Sequence, residues 1–159
     1  MAREIERKFL VASDGWRAAA DAGEELLQGY LSSNAKATVR VRIFDGKRAV
    51  LTLKGPAEGY TRAEFEYEIP LQDARELMEL ARPHVIEKRR FAVRHGAMVW
   101  EVDVFSGQHA GLVIAEIELD EETQVIDLPD WIGREVSDDG RYYNASLSRA
   151  DAPPVEDGL

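Results

Sequence analysis

The segment Glu4-Ile5-Glu6-Arg7-Lys8-Phe9-Leu10-Val11 alternates with the period of two that is typical of a β-strand. Its even-numbered positions begin with the charged residues Glu4, Glu6 and Lys8, whereas its odd-numbered positions are mostly apolar. A strand of this kind separates a charged face from an apolar face. Because the same pattern returns along most of the chain, this segment indicates the fold class.

The alternation returns often enough to predict about eight strands. After the first strand, the predicted strands cover residues 28–31 (the weakest), 39–43, 50–54, 62–69, 87–91, 100–104 and 115–119. Asp45-Gly46 lies between two of these strands and is a strong signal for a tight hairpin. Short loops between most neighbouring strands favour an antiparallel meander. The predicted fold class is therefore mainly β (α+β).

Helices are few in this pattern. Ser13 and Asp14 are predicted to cap a short helix. The clearest helix covers residues 71–81, where apolar side chains recur on one stripe. Asn144 is predicted to cap a last turn that contains Leu147. These helices are too few to form a core by themselves, so they are expected to pack against the strands.

The composition is that of a folded domain without disulfides. Of the 159 residues, 45% are hydrophobic and none is cysteine, which excludes disulfides, thiolate metal sites and cysteine nucleophiles. We predict one domain over residues 1–150 and a flexible tail over residues 151–159. No apolar run approaches the length of a membrane span, and the first residues lack the apolar core of a signal peptide. A cytoplasmic location without a membrane partner is therefore expected.

The net charge argues against nucleic acid as a partner. Twenty basic residues against thirty acidic residues give a net charge of −10 at pH 7. Non-specific binding of nucleic acid depends on Lys and Arg side chains that neutralise phosphates, and a surplus of acid opposes it. A small phosphate-bearing ligand is not excluded, because its binding depends on where the cations lie rather than on their sum.

Like charges repeat two residues apart within several strands, which is unusual for a solvated surface. The pairs are Glu4/Glu6, Arg40/Arg42, Lys88/Arg90, Glu101/Asp103 and Glu116/Glu118. In a conventional barrel the apolar faces would pack inside and these charges would face water. In an inverted barrel the charges would line a tunnel, and other elements would cover the apolar faces from outside. Periodicity alone leaves both arrangements open.

The charged residues form two sets whose chemistry favours the inverted arrangement. The basic set offers hydrogen-bond donors to a polyanion, and it comprises Lys8, Arg40, Arg42, Lys54, Lys88 and Arg90. The acidic set offers the hard oxygen ligands that Mg²⁺ and Mn²⁺ prefer, and it comprises Glu4, Glu6, Asp103, Glu116 and Glu118. Phosphoryl transfer needs both, because cations hold the phosphoryl oxygens while a metal ion offsets the developing charge.

The Glu-x-Glu-x-Lys pattern at residues 4–8 resembles the signature of the CYTH superfamily, the triphosphate tunnel metalloenzymes. Later segments resemble family blocks in the expected order, which makes the resemblance specific. These segments are residues 40–42, 52–55, 62–66, 87–90, 100–105, 115–119, 131–136 and 142–144. The resemblance extends from about residue 4 to about residue 147, which is nearly the whole chain.

The resemblance implies an eight-stranded antiparallel β-barrel with a charged interior tunnel. It implies metal-dependent hydrolysis of a linear triphosphate, most simply inorganic triphosphate to pyrophosphate and phosphate. The acidic set would bind Mg²⁺ or Mn²⁺, and the basic set would bind the triphosphate. Orienting roles within the tunnel are implied for Arg62, Glu64, Glu66 and Glu101.

Tyr30 is a candidate catalytic residue on separate grounds. It follows Gly29 in the weakest predicted strand and could face the tunnel, where it would assist Lys8 in handling a proton. Packing against a neighbouring strand is the alternative role. Lys8 is the other candidate catalytic residue, since it also belongs to the substrate-binding basic set.

One departure from the family concerns the C-terminal helix, where some members place a lysine near the tunnel mouth. Residues 142–147 contain no lysine, and Arg149 is a candidate substitute. The choice of substrate therefore stays open. The alternatives are a class IV type adenylate cyclase, a thiamine triphosphatase, and a non-catalytic module that binds polyphosphate or nucleotide. A homodimer is also left open.

Overall fold

The computed structural model describes residues 2–155, and within them nine β-strands form one antiparallel sheet. The strands are β1 (Arg3–Val11), β2 (Glu24–Ser33), β3 (Thr38–Phe44), β4 (Arg48–Lys54), β5 (Thr61–Ile69), β6 (Val85–His95), β7 (Met98–Phe105), β8 (Val113–Glu118) and β9 (Ile132–Glu135). The eight predicted strands correspond to β1–β8. The short strand β9 was not predicted.

The sheet closes on itself through β1. Its strands follow the order β5-β4-β3-β2-β6-β7-β8-β1, and β1 also pairs with β5, which completes an eight-stranded barrel. Along its edge away from β8, β1 pairs with β5 through residues 3–5 and with β9 through residues 9–11. The predicted antiparallel barrel is therefore confirmed. A barrel leaves no open sheet edge along these strands, and this satisfies the backbone hydrogen bonds.

The predicted meander is correct only within two runs, β2–β5 and β6–β8. Between these runs the chain crosses over, because β6 pairs with β2 rather than with β5. The crossover contains helix α1 (Leu71–Ala81), which matches the predicted helix residue for residue. The chain also crosses the barrel between β1 and β2, where the 3₁₀-helix Asp14–Ala19 lies.

The apolar faces of most strands point outward and are covered by other elements, whereas Phe65 and Tyr67 on β5 stay exposed. On β1, β7 and β8, Ile5, Trp100 and Ile117 belong to one buried cluster, together with Trp16 from the 3₁₀-helix and Trp131 from the loop before β9. The alternate side chains of the same strands are the charged ones, and they line an internal cavity. The barrel is therefore inverted, with its hydrophobic layer on the outside.

Ser13 caps the 3₁₀-helix Asp14–Ala19 as predicted, since its Oγ accepts a hydrogen bond from the Gly15 amide. The prediction for the last helix needs a correction. Helix α2 (Asn144–Leu147) begins with Asn144 itself and is preceded by Tyr143, which makes no side-chain capping bond. The Asn144 side chain instead accepts a hydrogen bond from Lys88 Nζ at 2.9 Å. The Asn144 side chain therefore binds Lys88 in the barrel interior instead of capping α2.

Helix α1 covers the outer face of β2, β3 and β4. Ala74 and Met78 pack in a buried cluster with Val41 and Ala49 from the strands. The helix comes unusually close at Gly29, where a Cβ atom would lie 2.7 Å from Ala81 Cβ and 2.8 Å from Met78 Sδ. Glycine at this position therefore sets the distance between helix and sheet.

Replacing Gly29 by alanine is expected to lower the free energy of unfolding by about 1–3 kcal/mol, because the added methyl group overpacks this contact. Chemical denaturation measures the change. Leu80→Ala is the matched control, since Leu80 lies on the same helix and is 75% exposed. A Gly29→Ala protein as stable as the parent would show that α1 shifts without cost.

The C-terminal residues cover one end of the barrel. Tyr142 and Leu147 pack in a third buried cluster with Ile86, Phe105 and Ile114, which lie near the ends of β6, β7 and β8. His109 Nε2 lies 2.6 Å from the Leu147 carbonyl oxygen and ties the end of α2 to the loop before β8. This packing places residues 143–146 against the cavity.

The predicted tail falls partly outside the described residues. Residues 151–155 contain neither helix nor strand, and residues 156–159 lie beyond the described range. The boundary between domain and tail therefore stays a prediction. Among residues 2–155, no helix has both the length and the apolar character needed to cross a membrane.

Candidate active site

The barrel encloses a polar cavity of about 410 Å³. All eight barrel strands contribute side chains to its wall, and residues 143–146 and the loop between β4 and β5 complete it. Both predicted charged sets meet here, because the charged positions of each strand point inward. Every member of the two sets lines the cavity except Asp103, which lies buried behind two of the basic residues.

Strand β1 places Glu4, Glu6 and Lys8 on the cavity wall, as its alternation predicts. In the barrel, Glu6 lies directly opposite Glu118 and Lys8 directly opposite Glu116. Lys8 is buried, with Nζ 3.7 Å from a Glu116 oxygen and 3.3 Å from the carbonyl oxygen of Tyr142. One strand pair therefore supplies three carboxylates and a cation from two successive inward positions on each strand.

The buried carboxylates differ sharply in their proton affinity. Burial, helped by the charges of Glu116 and Glu4, raises the pKa of Glu6 well above its ordinary value. Burial alone would also raise the pKa of Glu116, but Lys8, Arg90 and Lys88 together lower it well below its ordinary value. The neighbouring Glu6 carboxyl group lowers the pKa of Glu116 further. A carboxyl group beside a carboxylate forms an oxygen-rich site where a cation can replace the proton.

The donor set fits a hard divalent cation in its chemistry. Glu4, Glu6, Glu116 and Glu118 offer oxygen ligands only, and burial together with the charge of Glu4 raises the pKa of Glu118 as well. Mutual repulsion of this kind is what a bound cation relieves. Within residues 2–155, no three metal-ligating side chains converge closely enough to hold an ion, so the carboxylates would have to move closer together to bind one.

The basic side of the cavity lies on β3. Arg40 and Arg42 are both buried, and Arg40 Nε has no hydrogen-bond partner among the described residues. Burial, with the charges of Arg40 and Arg90, lowers the pKa of Arg42 to about 9. Neighbouring guanidinium groups with an unpartnered buried donor are unfavourable by themselves, and an anion in the cavity would satisfy them.

Asp103 serves as the counter-ion of the basic residues on β6. Its Oδ1 accepts from Arg90 Nε at 2.8 Å, and its Oδ2 accepts from Arg90 Nη2 at 2.9 Å. Lys88 Nζ lies 2.7 Å from the same Oδ2, and both Lys88 and Asp103 are fully buried. Burial, reinforced by Arg90 and Arg42 against the opposing charge of Asp103, lowers the pKa of Lys88 to about 7.

The residues with implied orienting roles also line the cavity. Glu64 lies 3.3 Å from Lys54 Nζ, which also contacts Glu4 at 2.9 Å. Glu66 accepts a hydrogen bond from the buried Thr52 hydroxyl at 2.9 Å, and Thr52 in turn accepts one from Arg40.

The other two residues of this group make contacts of the same kind. Glu101 lies 3.2 Å from Arg90 Nη1. Arg62 Nε donates to the Gly55 carbonyl oxygen. Each member of the group therefore holds a neighbouring side chain or the chain backbone in place.

Sequence reasoning missed three polar residues of this site: Gln28, Thr52 and the side chain of Asn144. Gln28 is fully buried and lies opposite Arg42, whose Nε donates to Gln28 Oε1 at 2.9 Å. Tyr30 combines both roles that the sequence left open, because it packs in the buried cluster of Ile86 and Phe105 and also lines the cavity. Its hydroxyl accepts a hydrogen bond from Gln28 Nε2 at 2.8 Å. The sequence could have indicated Gln28 by its position, because it lies two residues before Tyr30 and therefore on the same face of β2.

Comparison with known proteins identifies the family. Residues 2–150 match the CYTH domain. The chain belongs to the CYTH family. The family resemblance of the sequence is therefore confirmed, and membership supports a general dependence on a divalent cation.

Relatives of this CYTH chain carry a consistent name. An inorganic triphosphatase from Acetivibrio thermocellus is 47% identical over 148 residues, which cover 92% of this chain and 94% of that protein. An inorganic triphosphatase from Nitrosomonas europaea is 33% identical over 151 residues, which cover 91% and 96% of the two chains. A solved structure of an inorganic triphosphatase superposes with a TM-score of 0.66 and 30% identity, over 92% of this chain and 97% of that chain. These similarities extend over the whole barrel.

Proposed function

We propose that this CYTH chain hydrolyses a linear triphosphate in its barrel cavity, with inorganic triphosphate as the substrate and pyrophosphate and phosphate as products. The observation that carries the proposal is the pair of buried arginines on β3, with the unpartnered Nε of Arg40 and the lowered pKa of Arg42. Both features indicate a site that is incomplete without a polyanion. The two inorganic triphosphatases at 47% and 33% identity support the same substrate.

The basic residues would bind and orient the phosphoryl oxygens. Arg40 and Arg42 offer planar donors that suit two oxygens at once, and Lys8, Lys54 and Lys88 add point charges around them. Asp103 would hold Lys88 and Arg90 in position, because both of its oxygens already accept from these cations. This geometry favours a counter-ion role for Asp103 over the metal-ligating role that the resemblance implies.

Glu4, Glu6, Glu116 and Glu118 would hold a divalent cation, Mg²⁺ or Mn²⁺. When bound, that cation would supply positive charge that offsets the negative charge of the phosphoryl oxygens and of the leaving group. The four carboxylates form an acidic wall opposite the arginines. One end of a bound phosphoanhydride would therefore face the carboxylates with their cation, and the other end would face the arginines. Water attack on a terminal phosphorus then gives phosphate and pyrophosphate.

A substrate panel tests this proposal. Inorganic triphosphate, ATP and thiamine triphosphate would each be assayed with Mg²⁺ and with Mn²⁺, and the products identified. We expect phosphate and pyrophosphate from inorganic triphosphate, with the highest kcat/KM of the three substrates. Cyclic AMP with pyrophosphate would instead identify an adenylate cyclase, and binding without turnover would identify a non-catalytic module.

Triphosphate with Mg²⁺ is expected to raise the melting temperature by about 5 °C or more. A ligand at a hundredfold excess over its Kd stabilises the folded state by about 2.7 kcal/mol, and a domain of this size converts that energy into several degrees. Differential scanning fluorimetry would measure the shift, and pyrophosphate should give a smaller one. Lys8→Ala should weaken the shift. Equal, salt-screened shifts for triphosphate and pyrophosphate would argue against an enclosed site.

Three expectations from the sequence stay predictions: the homodimer, the cytoplasmic location, and the choice between Mg²⁺ and Mn²⁺. Lys8 and Tyr30 also stay predicted catalytic residues. Both line the cavity, but among residues 2–155 no hydrogen bond joins them.

A further inference from the structure

Gln28 is an uncharged residue at the centre of a charged site. It is fully buried on β2, between Arg42 on β3 and Ile86 on β6. Its side-chain amide makes three hydrogen bonds, to Arg42, Tyr30 and Asn144. A buried amide with both ends occupied is costly to misplace, because each lost partner leaves a polar group unsatisfied.

The orientation of this amide is fixed by chemistry. Arg42 Nε can only donate, so the Gln28 atom 2.9 Å away must be the oxygen. The charged form of Lys88 Nζ can only donate as well, so with Lys88 protonated the Asn144 atom 2.9 Å away is the oxygen, which also accepts from Gln28 Nε2. The NH₂ group of Gln28 therefore faces Tyr30 Oη at 2.8 Å and Asn144 Oδ1 at 3.3 Å, and it donates to both.

This polarity determines what the Tyr30 hydroxyl can do. Because Tyr30 Oη accepts from Gln28, its own hydrogen must point away from Gln28. Within residues 2–155 no protein group accepts that hydrogen, and Tyr30 lines the cavity. The phenol is thereby set to donate to a group in the cavity, beside the donors of Arg42 and Lys88.

We propose that Gln28 is a positioning residue that turns the Tyr30 hydroxyl into a hydrogen-bond donor for a phosphoryl oxygen of the substrate. The inference rests on the proposed triphosphatase function and deepens it. Two cations fix two amides, and the amides fix one hydroxyl, so that Tyr30 adds a neutral donor beside the charged donors of Arg42 and Lys88. Converging donors of this kind favour an ionised phosphoryl group. Tyr30 in this role binds the substrate and does not remove a proton from water.

A double-mutant cycle with Gln28→Met and Tyr30→Phe tests the inference. Methionine has a similar length but no hydrogen-bonding amide, and phenylalanine lacks only the hydroxyl. We expect each single variant to lower kcat/KM for inorganic triphosphate with Mg²⁺ by about 10- to 100-fold, as for the loss of a hydrogen bond to a charged group. The double variant should lose about as much as the worse single variant, because without the hydroxyl its orienting donor has nothing left to orient.

Gln28→Glu tests the two ends of the amide separately, because it keeps the acceptor for Arg42 and removes the donor to Tyr30. The carboxylate still accepts from Arg42 Nε but cannot donate to Tyr30, so the phenol hydrogen should turn towards it. We expect kcat/KM to fall at least as far as in Gln28→Met. Gln72→Met, an exposed position on α1, is the matched control and should keep the parent kcat/KM.

The outcomes are distinguishable. Losses that multiply in the double variant would show that Gln28 does not act through Tyr30, and parental activity in Gln28→Glu would show the same. Titration calorimetry with inorganic triphosphate gives the Kd of each variant in the double-mutant cycle. A variant that has lost turnover can therefore still be compared with the parent. If the parent chain itself neither binds nor hydrolyses triphosphate, the proposed function and this inference both fail. If the parent hydrolyses triphosphate but the cycle is additive, only this inference fails.

Discussion

Glu6→Gln is expected to lower kcat/KM for inorganic triphosphate by about 100-fold or more while the protein keeps its fold. The substitution removes one charged oxygen ligand from the acidic wall, and losses of this order follow when a metal site is weakened. The glutamine amide keeps the size of Glu6 and offers a donor to the neighbouring Glu116. Steady-state kinetics over a range of Mg²⁺ concentrations would measure the effect, and part of the activity should return at high Mg²⁺.

The control for this prediction is Glu76→Gln, which changes an exposed carboxylate on α1. It should leave kcat/KM and its dependence on Mg²⁺ unchanged. Full activity of Glu6→Gln, or of the parent chain in excess chelator, would remove the acidic set from the reaction.

Arg42→Ala is expected to weaken triphosphate binding by about 30- to 1000-fold, which corresponds to about 2–4 kcal/mol for a charge-assisted hydrogen bond in a desolvated site. The ligand-free protein should respond differently. Burial and the neighbouring cations Arg40 and Arg90 already lower the pKa of Arg42, so removing its charge relieves repulsion. The same substitution leaves the buried Gln28 oxygen without its partner, so we expect the two effects to offset each other and the melting temperature without ligand to change little.

Isothermal titration calorimetry with triphosphate, together with thermal denaturation without ligand, measures both halves of this prediction. Arg94→Ala is the matched control, because Arg94 lies on β6 beyond Arg90 but is exposed. An Arg42→Ala protein that binds triphosphate as tightly as the parent would show that Arg42 does not contact the ligand.

Local patterns in the sequence predicted most of the barrel. Alternation located β1–β8, because most of these strands have one charged and one apolar face, and β2 was the weakest prediction since residues 28–31 carry no charge. Helix α1 was predicted residue for residue, since it has a clear apolar stripe that ends before Pro83. Strand β9 was missed because it has only four residues and pairs with β1, whose residues lie more than a hundred positions earlier.

Periodicity could not decide which face of each strand lies inside. A period of two is the same for a conventional barrel and an inverted one, and only covering elements such as Trp16, Trp131 and α1 distinguish them. The family resemblance supplied the answer that the pattern could not.

Partners across the barrel were equally hidden from the sequence. Asp103 carries the same signal as Glu101, but the register places it directly opposite Arg90. Gln28 gave no signal by charge, and its role appears only when Arg42, Tyr30 and Asn144 are brought around it. Residue type and spacing thus predicted which side chains enter the cavity, whereas their pairing required the fold.

The outward hydrophobic layer has an evolutionary consequence. In most proteins the residues that stabilise the fold and those that perform chemistry compete for the same interior, so new activities arise at the expense of stability. Here Trp100, Ile117 and Met78 stabilise the barrel from its outer surface, and much of the cavity wall consists of charged side chains rather than of the apolar residues that pack the fold. Substitutions at cavity-lining positions outside the buried Lys88–Asp103 pair can therefore change charge and ligand preference at a lower cost in stability than substitutions in a conventional core. A barrel organised in this way can diversify its substrates while its architecture persists.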